Sequence, residues 1–214
     1  MSILSTGGIE FLLRWGHLLA GITWIGLLYY FNFVQGEYFK EASPDAKADA
    51  VKKLVPRALW WFRWAAMFTF LTGTTILLLR GHPTNAWTFD ITIGALLGTL
   101  MFLNVWLIIW PAQKIVCGIV QGDAAAAGPR ALLASRTNTL FSAPMLMFMA
   151  ASSHLSHGLL GGASRPALWL VVAIIAALQL NVMKGRVGPL ASVKGVIHCS
   201  IALAVVLWLI MDLL

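Results

Sequence analysis

Apolar residues in this chain run on continuously for about 18 to 24 residues at a time, and each run is broken by a short charged stretch. A helix of that length crosses roughly 30 Å of hydrocarbon. The pattern therefore predicts an all-α integral membrane bundle of six transmembrane helices, forming a single domain over residues 1–214. The spans fall at about 9 to 35, 58 to 79, 89 to 111, 137 to 158, 166 to 183 and 193 to 212. In the first connection, about 36 to 57, Glu37, Glu41, Asp45 and Asp49 alternate with lysines at near-helical spacing, which predicts a short surface helix. The stretch Gly118 to Ala134 holds a four-alanine run and a Gly-Pro, which predicts a flexible connection. Gly94-x-x-x-Gly98 in the third span predicts a small-residue surface on which another helix approaches closely.

Composition supports that reading. Hydrophobic residues make up 59% and charged residues 11% of the chain, far from soluble averages. This excludes a soluble domain, a transmembrane β-barrel, a disordered chain and a secreted disulfide scaffold. The net charge of +7 does not imply nucleic acid, because the Lys and Arg residues sit in the connections between apolar runs. They are unevenly shared. The connections after the first, third and fifth spans hold eleven, including Lys40, Lys114 and Lys194, against two, Arg80 and Arg165, after the second and fourth. The positive-inside rule then places both termini outside, on the periplasmic face of a bacterial inner (cytoplasmic) membrane. The first apolar run follows no basic n-region and no small-residue cleavage site, and is expected to be a permanent span. Cys117 and Cys199 form no C-x-x-C pair and are expected to be buried small residues.

Ionisable groups inside a span are costly and face the bundle interior, so the histidines carry the chemical information. His17 lies early in the first span, and His154 and His157 lie late in the fourth, so all three are expected toward the outer side; His198 starts the sixth span at the opposite depth. Arg14, His17, Gly21, Trp24, Leu28, Asn32 and Gln35 follow at spacings of three or four and share one face. Thr139, Ala143, Ala150, His154 and His157 share a face of the fourth helix, with small residues beneath the imidazoles. Two histidines from different helices with space between them suit a six-coordinate b-type haem. The expected cofactor is one haem b, with His17 and His154 as iron ligands and His157 as the alternate. Hydrogen-bonded packing histidines, or a zinc or copper site built from all three, are the other readings. Arg14 suits a propionate or an anionic substrate, or else snorkels to the interface. Arg63 among Trp60, Trp61 and Trp64 reads as part of an aromatic belt. Asn104, Trp110, Arg136 and Asn138 either hydrogen-bond a polar heterocycle or cap and anchor helix ends. Small residues such as the Gly94/Gly98 pair also allow a homo-oligomer.

Four blocks then point to a family. Arg14-Trp-Gly-His17 with Gly21-Ile-Thr-Trp-Ile-Gly and on to Gln35, Val55-Pro-Arg-Ala-Leu-Trp-Trp-Phe-Arg-Trp64, Asn104-Val-Trp-Leu-Ile-Ile-Trp-Pro111, and Ser135-Arg-Thr-Asn-Thr139 to Leu146 stand in that order. Together they resemble the membrane-embedded, cytochrome c-linked urate oxidase (urate hydroxylase) family of bacteria. The resemblance covers about residues 10 to 158 and extends loosely over the last two spans. It implies oxidation of urate at the purine ring, with electrons passed to a c-type cytochrome; a non-catalytic membrane cytochrome b electron relay and a haem-free transporter-like membrane protein are the alternative readings. Family members commonly carry a cytochrome c domain after the membrane domain. This chain has no C-x-x-C-H and resembles the membrane domain only, so a separate periplasmic c-type cytochrome is the expected partner beside membrane lipid and urate. Urate is a flat anion that calls for a cation, amides and an aromatic face. Arg14 and Trp24 are the expected catalytic-site residues, with Asn104, Arg136 and Asn138 as further polar groups for substrate or structure.

Overall fold

The computed structural model describes residues 2–82, 86–161 and 166–214. Arg165, counted above among the loop charges, lies outside the described residues. Among the described residues seven α-helices follow in order: α1 Thr6–Glu41, α2 Pro44–Lys53, α3 Val55–Leu79, α4 Phe89–Val116, α5 Ala124–His154, α6 Pro166–Lys184 and α7 Val193–Leu213. Polar side chains written into the sequence start them. Ser5, Ser43, Thr88, Asp123 and Ser192 each accept a backbone N–H of the first turn that would otherwise lack a partner. Helix α2 is the surface helix expected in the first connection. The flexible connection expected up to Ala134 is much shorter. Asp123 Oδ1 accepts from Ala125 and Ala126 N–H at 2.9 and 3.1 Å, so α5 begins at once. Pro129 and Pro144 lie inside the helix, where each removes one backbone N–H donor.

Two helices contain a wider, π-type turn, Tyr30–Gln35 in α1 and Val105–Ile109 in α4. Such turns insert an extra residue and shift the phase of a helix face.

The helices pack with alternating direction. Glu10 meets Arg80 at 3.7 Å and His17 meets Thr72 at 3.1 Å along α1 and α3; Asn104 meets Asn138 at 2.8 Å along α4 and α5. On the far side, Ser200 of α7 donates to the Thr139 and Leu140 carbonyls of α5 at 3.0 and 2.9 Å, and Trp208 packs on Phe148. Both termini consequently lie at one end of the bundle. There, Phe89 N–H bonds the Gly158 carbonyl at 3.0 Å and Leu160 N–H the Trp87 carbonyl at 2.8 Å, tying the two loops of that end together.

Gly94 sets the α4–α5 approach. A Cβ there would stand 2.8 Å from Met149 Cγ and 3.1 Å from its backbone nitrogen, whereas at Gly98 the nearest atom is 3.4 Å away. The Gly-x-x-x-Gly surface is thus a packing surface within this chain.

Among the described residues, five helices, α1, α3, α4, α6 and α7, are long and apolar enough to cross a membrane. Helix α5 carries the expected fourth span but differs from it. It runs for 31 residues, starts well before residue 137, ends at His154, and is more polar than the other five. Fifteen of its residues are buried, including Arg136, Thr137, Asn138, Thr139 and Ser142. The bundle is therefore polar inside and apolar outside: Phe11, Leu18, Ile22, Trp169, Leu180 and Ile201 all stand exposed. This is the build of a protein whose outer surface meets lipid.

Candidate functional site

A polar seam runs through the middle of the bundle along α5. Asn104 donates to Asn138 Oδ1 at 2.8 Å and to Gln179 Oε1 at 3.1 Å, Gln179 donates back to Asn104 Oδ1 at 2.7 Å, and Asn138 donates to the Met101 carbonyl at 2.9 Å. These amides satisfy one another, as buried polar groups must. Gln179 is the member the sequence reading passed over, one of two amides, with Asn181, near the end of an otherwise apolar run.

Toward the end of the bundle opposite the termini, the satisfaction stops. Asn32 of α1 donates to Ser135 Oγ at 2.8 Å, which locks the π-type turn of α1 against α5. The next residue, Arg136, is 5% exposed, and its Nε and Nη1 have no hydrogen-bond partner. One turn past Asn32, Gln35 Oε1 is likewise buried and unpartnered. The Glu37 carboxylate acts on Arg136 through space but is itself held by Lys40 at 2.7 Å. On α4, Trp106 Nε1 is a third unpartnered group; it lies two residues past Asn104, as Arg136 lies two before Asn138, so the antiparallel pair sets them level. Beside this region a cleft of about 230 Å³ opens between α1, α5 and α7, lined by Tyr29, Phe33, Thr139, Ser142, Ser200 and Ile201. Tyr29 and Phe33 stack there at 4.9 Å, and Tyr29 Oη meets Ser142 Oγ at 2.8 Å.

The histidines stand elsewhere. The Thr72 hydroxyl donates to the Phe68 carbonyl at 2.6 Å, so it accepts from His17, whose Nδ1 is 3.1 Å away. Gly73 leaves room for that ring, since a Cβ there would come within 2.9 Å of its Cε1. His17 therefore leans into α3. His154 is exposed at the end of α5, and Ala150 of its expected inward face is exposed too. The inward face of that half of α5 is made instead by Phe141, Met145, Phe148 and Ala151. Helices α1 and α5 touch through Tyr29–Ser142 and Asn32–Ser135. His17 and His154 are thus not brought into one site, and as a pair they do not fit a shared haem.

His157 is the imidazole with a ligand's surroundings. Asp90, fully buried, accepts its backbone N–H at 2.8 Å and faces its Nδ1 at 2.6 Å, while Trp208 packs against the ring at 4.4 Å. Its Nε2 is buried without a partner. A carboxylate behind Nδ1 with Nε2 uncommitted is the arrangement by which proteins orient metal-binding histidines.

The expected catalytic pair is also apart. Arg14 is bound to Glu10 through its Nε at 3.1 Å and stands largely exposed, whereas Trp24 is 2% exposed. Ten residues separate them along α1, a rise of about 15 Å. Arg63 is not free either, lying over the Trp110 ring at 3.7 Å, next to the exposed Trp60, Trp61 and Trp64. His198 is exposed on α7.

Five apolar helices around a polar inner one define a helical bundle with the build of a multi-pass membrane protein. Within that class the family is plain: the model of the urate oxidase N-terminal family matches residues 84–213, and the chain belongs to that family. The match takes in α6 and α7, where the motif likeness was loose, and begins after α3. No curated protein and no solved structure matches the chain.

Proposed function

We propose that this chain is the membrane part of a urate-oxidising oxidoreductase of the bacterial inner membrane, which passes electrons to a c-type cytochrome on the periplasmic side. Membership of the urate oxidase N-terminal family over residues 84–213 carries the reading. The polar seam supports it, because a lipid-embedded protein has no need of buried Arg136, Asn104, Asn138 and Gln179 for stability alone. The strongly basic connections lie at the end of the bundle away from the termini, which supports termini facing the periplasm, where a cytochrome would dock.

One haem b belongs to the proposal. Its iron ligand would be His157, in place of the pair His17 and His154, because His157 alone combines a buried, uncommitted Nε2 with a carboxylate behind its Nδ1. Bound haem would supply one-electron storage; orienting the imidazole is the task of Asp90.

The test is an optical spectrum of the purified, detergent-solubilised protein as isolated, after dithionite, and after anaerobic urate, followed by addition of a c-type cytochrome. Urate-dependent reduction of the cytochrome is the expected result, and its absence in active membranes would remove the oxidase reading. A missing Soret band in protein made with ample haem would remove the haem alone.

A further inference from the structure

The cleft between α1, α5 and α7 has an apolar rim and a floor of hydroxyls. Ile201 at its edge is 55% exposed on the apolar outer surface, whereas Ser142 and Ser200 on its floor are buried. Ser200 is the eighth residue of α7, about 10 Å along that helix, so the cleft opens onto hydrocarbon. Its floor is held by a break in the bonding of α5. Pro144 has no N–H to offer the Leu140 carbonyl, and the Ser200 hydroxyl takes that place at 2.9 Å. Ser200 also reaches the Thr139 carbonyl at 3.0 Å, and Ser142 donates to the same carbonyl at 2.7 Å. That acceptor is thus served by two hydroxyls. Ser142 can turn its proton to a ligand, since a hydroxyl hydrogen rotates, while Thr139 keeps a donor. Tyr29 Oη lies 2.8 Å behind Ser142 Oγ and donates to it, which strengthens Ser142 as a donor.

We infer that this cleft binds the headgroup of a lipid-soluble quinone, with a ring carbonyl accepting from Ser142 and the apolar tail leaving past Ile201 into lipid. A ligand that enters from hydrocarbon must be apolar overall. A releasable donor on the floor selects an acceptor, which an acyl chain lacks. Tyr29 and Phe33, stacked at 4.9 Å with their planes 20° apart, give the lining a flat aromatic part, and Ala143 adds only a methyl to it. The volume of about 230 Å³ suits one small ring and is below that of a drug-sized pocket. The choice of a redox carrier among flat acceptors rests on the oxidoreductase reading, while the cleft rests on its own lining. The site is separate from His157: Ser200 lies eight residues before Trp208, which packs on that imidazole, a rise of about 12 Å along α7.

The test is photolabelling of the full chain in phosphatidylcholine nanodiscs with a decyl-tailed azidobenzoquinone, without urate, with decylubiquinone and, separately, oleate as competitors. The expected result is saturable labelling of α1, α5 or α7 at the cleft, displaced by decylubiquinone and not by oleate. Ala143→Phe and Ile201→Trp, which fill the cleft and its mouth, should weaken decylubiquinone binding about tenfold or more, and Ser142→Ala about threefold or more. Thermal melting of each variant without ligand checks the fold; should Ala143→Phe melt early, Ile201→Trp decides, because its side chain stands on the outer surface. Wild-type affinity in both filled variants, labelling elsewhere in the chain, or no saturable labelling overturns the site. Affinity unchanged in Ser142→Ala, or displacement by oleate as effective as by decylubiquinone, makes the cleft an acyl-chain groove and overturns the quinone. Quinone binding in a protein that oxidises no urate upholds the site and removes the urate reading alone.

Discussion

Asp90 holds His157 twice, through the backbone N–H at 2.8 Å and through the ring Nδ1 at 2.6 Å. One carboxylate at the first turn of α4 thereby fixes the loop that follows α5, beside the single β-bridge between Thr88 and Leu159 among the described residues. Asp90→Asn keeps the shape but weakens a charge-assisted bond to a buried partner. It should lower stability by about 2 kcal/mol, read as an earlier thermal melt in detergent, and an unchanged melt would show that the latch does not hold this end.

The same variant series tests haem ligation. His157→Ala should abolish a b-type spectrum, Asp90→Asn should shift it, and His17→Ala and His154→Ala should leave it in place. Loss of the spectrum in His17→Ala with retention in His157→Ala would reverse the assignment.

The two glycines of α4 are predicted to behave differently. Gly94→Ala drives a methyl to within 2.8 Å of Met149 Cγ and 3.1 Å of backbone, and should cost about 1–3 kcal/mol. Gly98→Ala meets Met149 at an ordinary 3.4 Å and gains up to about 1 kcal/mol in helix propensity. Melting temperatures that rank the two the other way would contradict the α4–α5 geometry.

In the amide cluster, Asn138→Leu removes one of two donors to the Met101 carbonyl, which keeps the Val105 N–H, and leaves one Asn104 N–H bond unserved. Hydrogen bonds between membrane helices are modest, about 0.6 kcal/mol on average and 1.7 at most, so the expected loss is about 1 kcal/mol, again read by melting. A loss above about 3 kcal/mol would show that the cluster acts as a cooperative unit.

Cys117 caps α4 just outside its membrane-crossing segment, and burial pushes its thiol above the usual range. At a given pH less of it is thiolate, the reactive form. Maleimide labelling of a Cys199→Ala chain should therefore run slower at pH 8 than labelling of a small free thiol, and should approach that rate only as pH rises. Labelling as fast as the free thiol at pH 8 would contradict the burial.

The spans were legible because continuous apolar runs encode membrane-length helices directly, and five of the six satisfy that criterion in the structure. The face of α1 from Trp24 through Leu28 to Asn32 was legible too, and it is buried as its spacing predicts. What failed was pairing across helices. Shared depth suggested His17 with His154, but helix neighbours are set by packing details such as Gly73 beneath His17 and Gly94 beneath Met149, and these have no signature in one helix alone. The upper face of α5 failed for a related reason: Ala150 and His154 follow Ala143 at helical spacing, yet Phe141, Met145 and Phe148 are the residues that meet α4 and α7. The partnerless state of Arg136 was not legible at all, because absence of a partner is a property of three helices together.

Helix α5 has a consequence for how the protein is made. Its polarity gives it little to gain from lipid on its own, since residues such as Arg136 and Asn138 are charged or amide groups that translocon insertion disfavours by up to about 3 kcal/mol each at mid-helix. It enters the bilayer profitably only when α4 and α6 offer Asn104 and Gln179, and α7 offers Ser200. Biogenesis must then retain α5 near the insertion machinery until the C-terminal helices have emerged, so that the polar helix is delivered into the membrane by the company of its successors.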